Sequence, residues 1–514
     1  MRGAVLLVAA IAASTAMVAW ALQHDAVPQL RAPVLPFATP AGAPPGLPAV
    51  QAKLLRVLGD PAESGLAAWP GGIDAVPPVA YDFDGDGVRE VVVHSNDTSV
   101  YVFRADTGRA VARFTTSYPE GWYIERILNG VAVAPLAPGE PASIVVANHA
   151  ARVSAWRFDP AHSTADRFAF ERRWETALPA LAGAASMDAR PVLADLDGDG
   201  RLEIVVQTEE EGVYALRGNG SILWKQAIGG GNAEPTVADL DADGKPEAIF
   251  ASDDGRVTVL EGRTGKFLWT FDAKGVAPGP ASIPVAPTVA DLDGELPLEL
   301  LLVARDAHDA DDFGNDHVTV IAVRGEGGDG ELVWSFRPAW AAPLSYTHLA
   351  AVDVDGDGSP EVLGMDWNTI GHFPGAWERV GEGHAFALRA DGTELWKRPL
   401  DSWWSNKDVA VADLDRDGAL EVLANGALEG RDGLWALDAR TGEPRAFLSA
   451  DPWKVQRGPA LVDLFGRGTT QLLLSVVPAD EPGTGAILVY DLGAVADAPW
   501  PGHPPLEPWT LEGS

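Results

Sequence analysis

A nine-residue acidic loop recurs along this chain, and its spacing constrains the fold more than any other feature. "YDFDGDGVREVVV" starts at Tyr81, "LADLDGDGRLEIVV" at Leu193, "VADLDADGKPEAIF" at Val237 and "VADLDGELPLELLL" at Val289. "AVDVDGDGSPEVLG" follows at Ala351, "VADLDRDGALEVLA" at Val411 and a worn copy, "LVDLFGRGTTQLLL", at Leu461. Between the first two lies "VAPLAPGEPASIVV" at Val133, which keeps the apolar frame and has no acid at the ligand positions Pro135, Ala137, Gly139 and Ser143. The eight loops start between residues 82 and 463, at intervals of 44 to 62 residues. A unit of that length makes one small sheet and cannot bury its apolar face alone, so units must stack on their neighbours. One four-stranded propeller blade per unit meets both requirements.

The strand pattern agrees. Each loop sits between a short apolar strand and a β-branched one such as "LEIVVQ", and an alternating strand such as "GRVTVLEG" follows. A fourth strand carries tryptophan in "SILWKQ", "KFLWTF", "ELVWSF" and "TELWKR", a position expected to pack between blades. The fold class is therefore all-β, a single β-propeller of eight four-stranded blades, with seven as the alternative count. The last unit runs out after "AILVYDLG", one strand short, so an N-terminal strand is expected to close the ring. The segment "SGLAAWPGGI", ahead of the first loop, has the length and the tryptophan for that role.

The loops have the chemistry of a hard-cation site. Calcium takes six to eight oxygen ligands at about 2.3–2.6 Å and tolerates irregular geometry. Three alternating aspartates present carboxylates to one centre while glycines let the backbone curl around it. Without a cation, four clustered acids repel one another. An EF-hand opens on similar residues but requires an acid at the twelfth position and helices on both sides. Here the twelfth residues are Val93, Val206, Phe250, Gly364 and Ala424, the flanks are strands, and the last acid is the ninth residue.

Repeated in this way, the "DxDxDG" loop resembles the FG-GAP or VCBS repeat of integrin alpha-subunit-like propellers, over about residues 70 to 505. The resemblance implies calcium bound by the first, third, fifth and ninth side chains and the seventh carbonyl. Carried over residue by residue, it gives five sites. They are Asp82, Asp84, Asp86, Val88 and Glu90; Asp195, Asp197, Asp199, Arg201 and Glu203; and Asp239, Asp241, Asp243, Lys245 and Glu247. The other two are Asp353, Asp355, Asp357, Ser359 and Glu361, and Asp413, Asp415, Asp417, Ala419 and Glu421. The unit at Asp291 keeps Asp291, Asp293 and Glu299 but has Glu295, Leu296 and Pro297 in place of the third aspartate, the glycine and the carbonyl position. A weaker or absent site is expected there, and none at Pro135 or Asp463. Five calcium ions would bring the formal charge from −35 to about −25. "FRADTGRAVARF", "LEGRTGKFLWTF" and "LDARTGEPRAFL" also resemble the blade turn of PQQ-like propellers, without an identifiable cofactor cluster.

A net charge of −35 argues against nucleic acid as a partner and against anionic membrane surfaces. The absence of cysteine excludes disulfides, zinc–thiolate sites and a thiol nucleophile. Residues 1–21 look like a secretory signal peptide or N-terminal anchor, which implies a secreted or periplasmic protein, tethered if the segment stays uncleaved. Residues 22–65 read as a Pro/Ala-rich linker with a short helix over "VQAKLLRVL", and 66–514 as the propeller. Two insertions do not repeat: Arg305–His317, and Met365–His384. They bring His308, His317, His372 and His384, with Trp367, Trp377 and nearby Trp403 and Trp404, as candidate ligands, bases or stacking platforms. The function expected is a monomeric, calcium-stabilised scaffold that binds an extracellular or periplasmic protein or carbohydrate. A calcium-dependent, lyase-like carbohydrate-active enzyme is the alternative.

Overall fold

The computed structural model describes residues 52–59, 78–95, 97–116, 130–179, 187, 189–210, 212–277, 281–306, 317–337, 348–366, 369–373, 376–380, 383–400, 408–428, 431–450, 453–455, 457–478, 485–495 and 498–500. Each repeat folds as four antiparallel strands. In blade 3 these are Val192–Ala194, Glu203–Gln207, Val213–Leu216 and Ile222–Gln226, hydrogen-bonded in sequence order. Every residue of the second strand, "EIVVQ", is buried, because neighbouring blades cover both faces of the sheet. The fourth strand alternates instead, as "FLWTFD" of blade 4 does, where the short strand Gly328–Asp329 from blade 5 adds outside it in parallel.

Seven further sheets repeat this plan, giving an eight-bladed ring. The core is divided among the seams: eight apolar clusters each join two consecutive blades. Between blades 3 and 4, for example, Leu196, Val205 and Trp224 pack against Phe250 and Leu260.

The fourth-strand tryptophans lock these seams, as their spacing predicts. The indole Nε1–H of Trp224 donates to the Gly262 carbonyl of the next blade, and those of Trp334 and Trp396 to Ala390 and Ala439 at 2.8 Å. Trp174 makes the same bond to Gly218, which extends the series back to blade 2. The turn glycine lies flat on the ring: a Cβ at Gly265, where φ is +67°, would meet the Trp224 indole at 2.6 Å. Only glycine satisfies both the left-handed backbone and that contact. Replacing Trp224 with Ala is expected to cost about 3–5 kcal/mol, read as a lower urea midpoint at unchanged slope. A loss below about 1 kcal/mol would mean that the indole does not hold the seam.

The ring is closed by an N-terminal strand, as expected, but by a different segment. Lys53–Leu58 pairs antiparallel with Ala486–Asp491 and becomes the outermost strand of blade 8. Within "VQAKLLRVL", where a helix is expected, Lys53–Leu58 is thus a β-strand, and the propeller begins ahead of residue 66. Pairing with a strand more than 400 residues away outweighed a local pattern that suits a helix equally well. "SGLAAWPGGI" lies outside the described residues. Val57 enters the seam between blades 7 and 8, and Leu58 the seam between blades 8 and 1. Arg56 Nε donates to the Asp106 carbonyl of blade 1 at 2.9 Å, completing the closure.

The topology separates two faces. Connections between first and second strands, and between third and fourth, lie at one end of every blade; the remaining connections lie at the other. The acidic loops occupy the first face; the second strands Glu299–Asp306 and Glu361–Met365, from which the two insertions depart, end on the opposite one, the insertion face.

Candidate metal centres on one face of the ring

The acidic loops fold around their own side chains. In blade 3 the first aspartate, Asp195, accepts from the amides of Gly198 (2.8 Å) and Gly200 (2.9 Å). The fifth-position aspartate accepts the amide of the seventh residue at 2.8 Å in all five matched loops: Val88, Arg201, Lys245, Ser359 and Ala419. The fourth residue is left-handed whether or not it is glycine, with Ala242 at φ +58° and Arg416 at +66°. The turn, rather than the glycine, sets that conformation, and the two side chains bear its strain.

The ninth-position glutamate opens the second strand and turns back under the loop. One of its oxygens accepts the amide of the loop's second residue: Phe83 on Glu90 (3.1 Å), Leu196 on Glu203 (3.1 Å) and Leu240 on Glu247 (2.9 Å). Leu292 on Glu299 (2.9 Å), Val354 on Glu361 (3.0 Å) and Leu414 on Glu421 (2.9 Å) repeat it. The other oxygen is not taken by the backbone, and in Glu299 it accepts from Arg324 at 3.3 Å. That atom of Glu90 is buried without a hydrogen bond, as is Asp197 Oδ1 in blade 3.

One carboxylate oxygen from each of Asp82, Asp84 and Asp86 lies within 4.8 Å of the others. The same holds for Asp195, Asp197 and Asp199; Asp239, Asp241 and Asp243; and Asp353, Asp355 and Asp357. Asp291, Asp293 and Glu299 of the departing loop cluster equally closely. A cation with bonds of about 2.3–2.6 Å spans such a gap, and an all-oxygen donor set suits a hard ion. The electrostatics point the same way. Burial, with the neighbouring aspartate charges, pushes Glu90 and Glu421 up to about 8, and Glu203 and Glu247 up to about 7. Glu299 and Glu361 are raised for the same reasons.

Other groups lie outside or away from these loops. His308, Trp367, Trp403 and Trp404 fall outside the described residues. His317 begins the third strand of blade 5, opposite Asp306. His372 and Trp377 are register partners in a separate hairpin, Thr369–Phe373 with Ala376–Val380. His384 is buried beside Asp366, with Nδ1 3.5 Å from Oδ1, and its backbone amide donates to the same carboxylate.

Sequence reasoning missed a charged network at the axis, on the insertion face. Arg190 of blade 3 pairs with Glu234 of blade 4 at 3.1 Å, and His348 of blade 6 with Asp408 of blade 7 at 2.8 Å. Arg457 of blade 8 is buried, which pushes it down to about 10 while Asp408 and Glu234 pull the other way. Blades 3 and 4 stand across the ring from blades 7 and 8, so Arg457 lies at the centre. Each residue is a lone charge just before an inner strand, and nothing local marks it. Trp500 reaches the same channel: its carbonyl accepts the amide of Val411, on the inner strand of blade 7, at 2.6 Å.

On the acidic face, a cavity of about 310 Å³ opens between the blade 2 loop, which has no acid at the ligand positions, and the blade 3 loop. Leu136, Glu140, Trp174, Arg201 and Arg217 line it beside Asp197 and Asp199.

An eight-bladed ring with acidic loops joining the two inner strands of its blades is a repeat-built β-propeller. The particular repeat is the FG-GAP-like one, whose pattern matches residues 195–250 and 239–302; the chain carries FG-GAP-like repeats on a propeller of eight blades. Among solved structures it is similar to Sqt1 of Saccharomyces cerevisiae (10% identity, 82% of this chain, 97% of that one, TM-score 0.53). It is also similar to a europium-containing methanol dehydrogenase (11% identity, 86% and 93%, TM-score 0.51). A third likeness is to the quinohemoprotein alcohol dehydrogenase of Comamonas testosteroni (12% identity, 87% and 77%, TM-score 0.50). At these identities the likeness extends to the fold alone. No curated protein sequence matches the chain.

Proposed function

We propose that this protein is a calcium-stabilised binding scaffold of the extracytoplasmic space, whose partner is a protein or a carbohydrate. The observation that carries the calcium reading is the ninth-position glutamate. A buried carboxylate such as Glu203, with one oxygen committed to the backbone and the charges of three aspartates raising it, is costly without a cation. Calcium in such a loop ties the first strand of a blade to the second. Asp195, Asp197, Asp199 and Glu203, and their counterparts in other blades, would hold it; the ion stabilises the fold and leaves recognition to other surfaces. The apolar N-terminal segment supports placement outside the cytoplasm, where calcium is plentiful.

The cavity between blades 2 and 3 is where a carboxylate-bearing sugar or side chain would be held. Arg201 and Arg217 line it beside Asp197 and Asp199. Elemental analysis of the purified chain, with melting followed before and after chelation, tests the calcium reading. Several bound ions and a melting temperature lowered by chelator are expected; no bound calcium, or an unmoved melting curve, would sink it. A glycan and protein array probed with wild type and with Arg201→Ala/Arg217→Ala tests the cavity. Equal binding by both would place recognition elsewhere.

A further inference from the structure

We infer that the acidic loop of blade 1 carries its own cation, the guanidinium of Arg104, and binds no metal ion. This rests on the calcium reading of the other loops and reduces the five matched sites to four. Arg104 stands opposite Glu90 in the strand register, at the end of the third strand, Ser99–Arg104. Its side chain is 8% exposed and lies among the candidate ligands. Nη2 is 2.6 Å from Asp86 Oδ2, and Nη1 is 3.3 Å from Asp84 Oδ2 and 3.8 Å from Glu90 Oε1. That Glu90 oxygen is the one not used by the Phe83 amide, hence the one a metal would need. Asp106 holds the guanidinium from outside through Nε at 3.1 Å. Two of the four carboxylates are therefore hydrogen-bonded to one fixed positive group and a third lies 3.8 Å from it, and a divalent ion against the same oxygens would be repelled by it.

The same register position distinguishes the other blades. In blade 5, Arg324 donates to Asp293 at 2.7 Å and to Glu299 Oε1 at 3.3 Å. That loop, which lacks the third aspartate, is thus filled in the same way. Blades 4 and 7 place further acids there: Glu261 opposite Glu247, and Asp438 opposite Glu421. The Lys245 ammonium reaches Asp243 at 2.5 Å, but from the solvent side, where it is exposed and displaceable. Blade 6 has Arg389, which turns away and donates to the Glu394 carbonyl at 3.2 Å. Blade 3 has Arg217, which forms no ion pair with its loop among the described residues. An arginine at this position is therefore not sufficient; it must be turned inward, as Asp106 turns Arg104.

Calcium per chain, counted by elemental analysis on the full-length protein after equilibration with calcium and removal of excess, tests the assignment. Wild type is expected to hold four ions and Arg104→Gln five, while Arg104→Lys and the control Arg389→Gln remain at four. In chelator, Arg104→Gln is expected to melt lower than wild type, and calcium to restore it. If that variant folds only when calcium is present, the loop has exchanged its internal cation for a metal, which is the same result. An ion count unchanged by Arg104→Gln overturns the inference while leaving the calcium reading intact. If wild type holds no calcium, the calcium reading fails, and a double-mutant cycle of Arg104→Gln with Asp86→Asn in chelator decides the arginine separately. Coupled losses keep Arg104 as the cation of the loop, and additive losses remove it.

Discussion

A chain lacking residues 1–59 is expected to melt more than about 10 °C below the full-length protein, or to fail to fold. The loss removes the outermost strand of blade 8, and with it two different seams. Leu58 is completely buried and Val57 nearly so, on opposite sides of the strand. Truncating either to Ala alone is worth about 1–5 kcal/mol. Their removal together also strips Ala486–Asp491 of its outer partner and exposes an edge on an otherwise closed ring. A synthetic peptide of residues 50–60, added in trans, should recover part of the lost melting temperature, and the Leu58→Asp peptide should not. A truncated chain as stable as the full one would show that the ring does not depend on this strand.

The metal-free protein should lose stability as pH rises from about 5 to about 8. Burial pushes Glu421 up to about 8, and Glu203 and Glu247 up to about 7, from an ordinary value of 4.5. An acid whose pKa is higher folded than unfolded binds more protons in the native state between those two values. Stability therefore falls with rising pH across that window. Its contribution is fully present below about 4.5 and gone above about 8. Calcium reverses the trend, since the ion binds the ionised carboxylates and protons compete with it. Melting curves at pH 5, 6, 7 and 8, in chelator and in millimolar calcium, check this. A metal-free melting temperature that stays flat or rises toward pH 8 would mean that the glutamates are charged without an ion and the burial argument is wrong.

Much of the candidate site was legible because its residues are close in sequence and repeat. Nine consecutive positions supply every expected ligand of a loop, so alternation and spacing alone pick out Asp195, Asp197, Asp199 and Glu203. The seam tryptophans were legible for the same reason, each being one residue at one phase of a repeat. What stayed hidden depends on partners from elsewhere in the chain. Arg104 lies 14 residues beyond Glu90, in a strand whose pattern does not indicate which arginine turns inward. Arg389 occupies a comparable position and donates to the Glu394 carbonyl instead. The axial charges Arg190, Glu234, Asp408 and Arg457 come from four blades and meet only because the ring closes.

The repeat by itself determined the class of fold, the four-stranded blade and the residues of the acidic loops. Those properties follow from strand alternation, turn chemistry and the inability of a unit of this size to bury its own face. The tertiary structure decided which segment closes the ring and which loop already holds a cation. Both turn on contacts between distant strands, Lys53–Leu58 with Ala486–Asp491 and Arg104 with the blade 1 carboxylates. Local pattern cannot rank such contacts, because their free energy comes from burial and charge pairing that exist only once the blades are assembled.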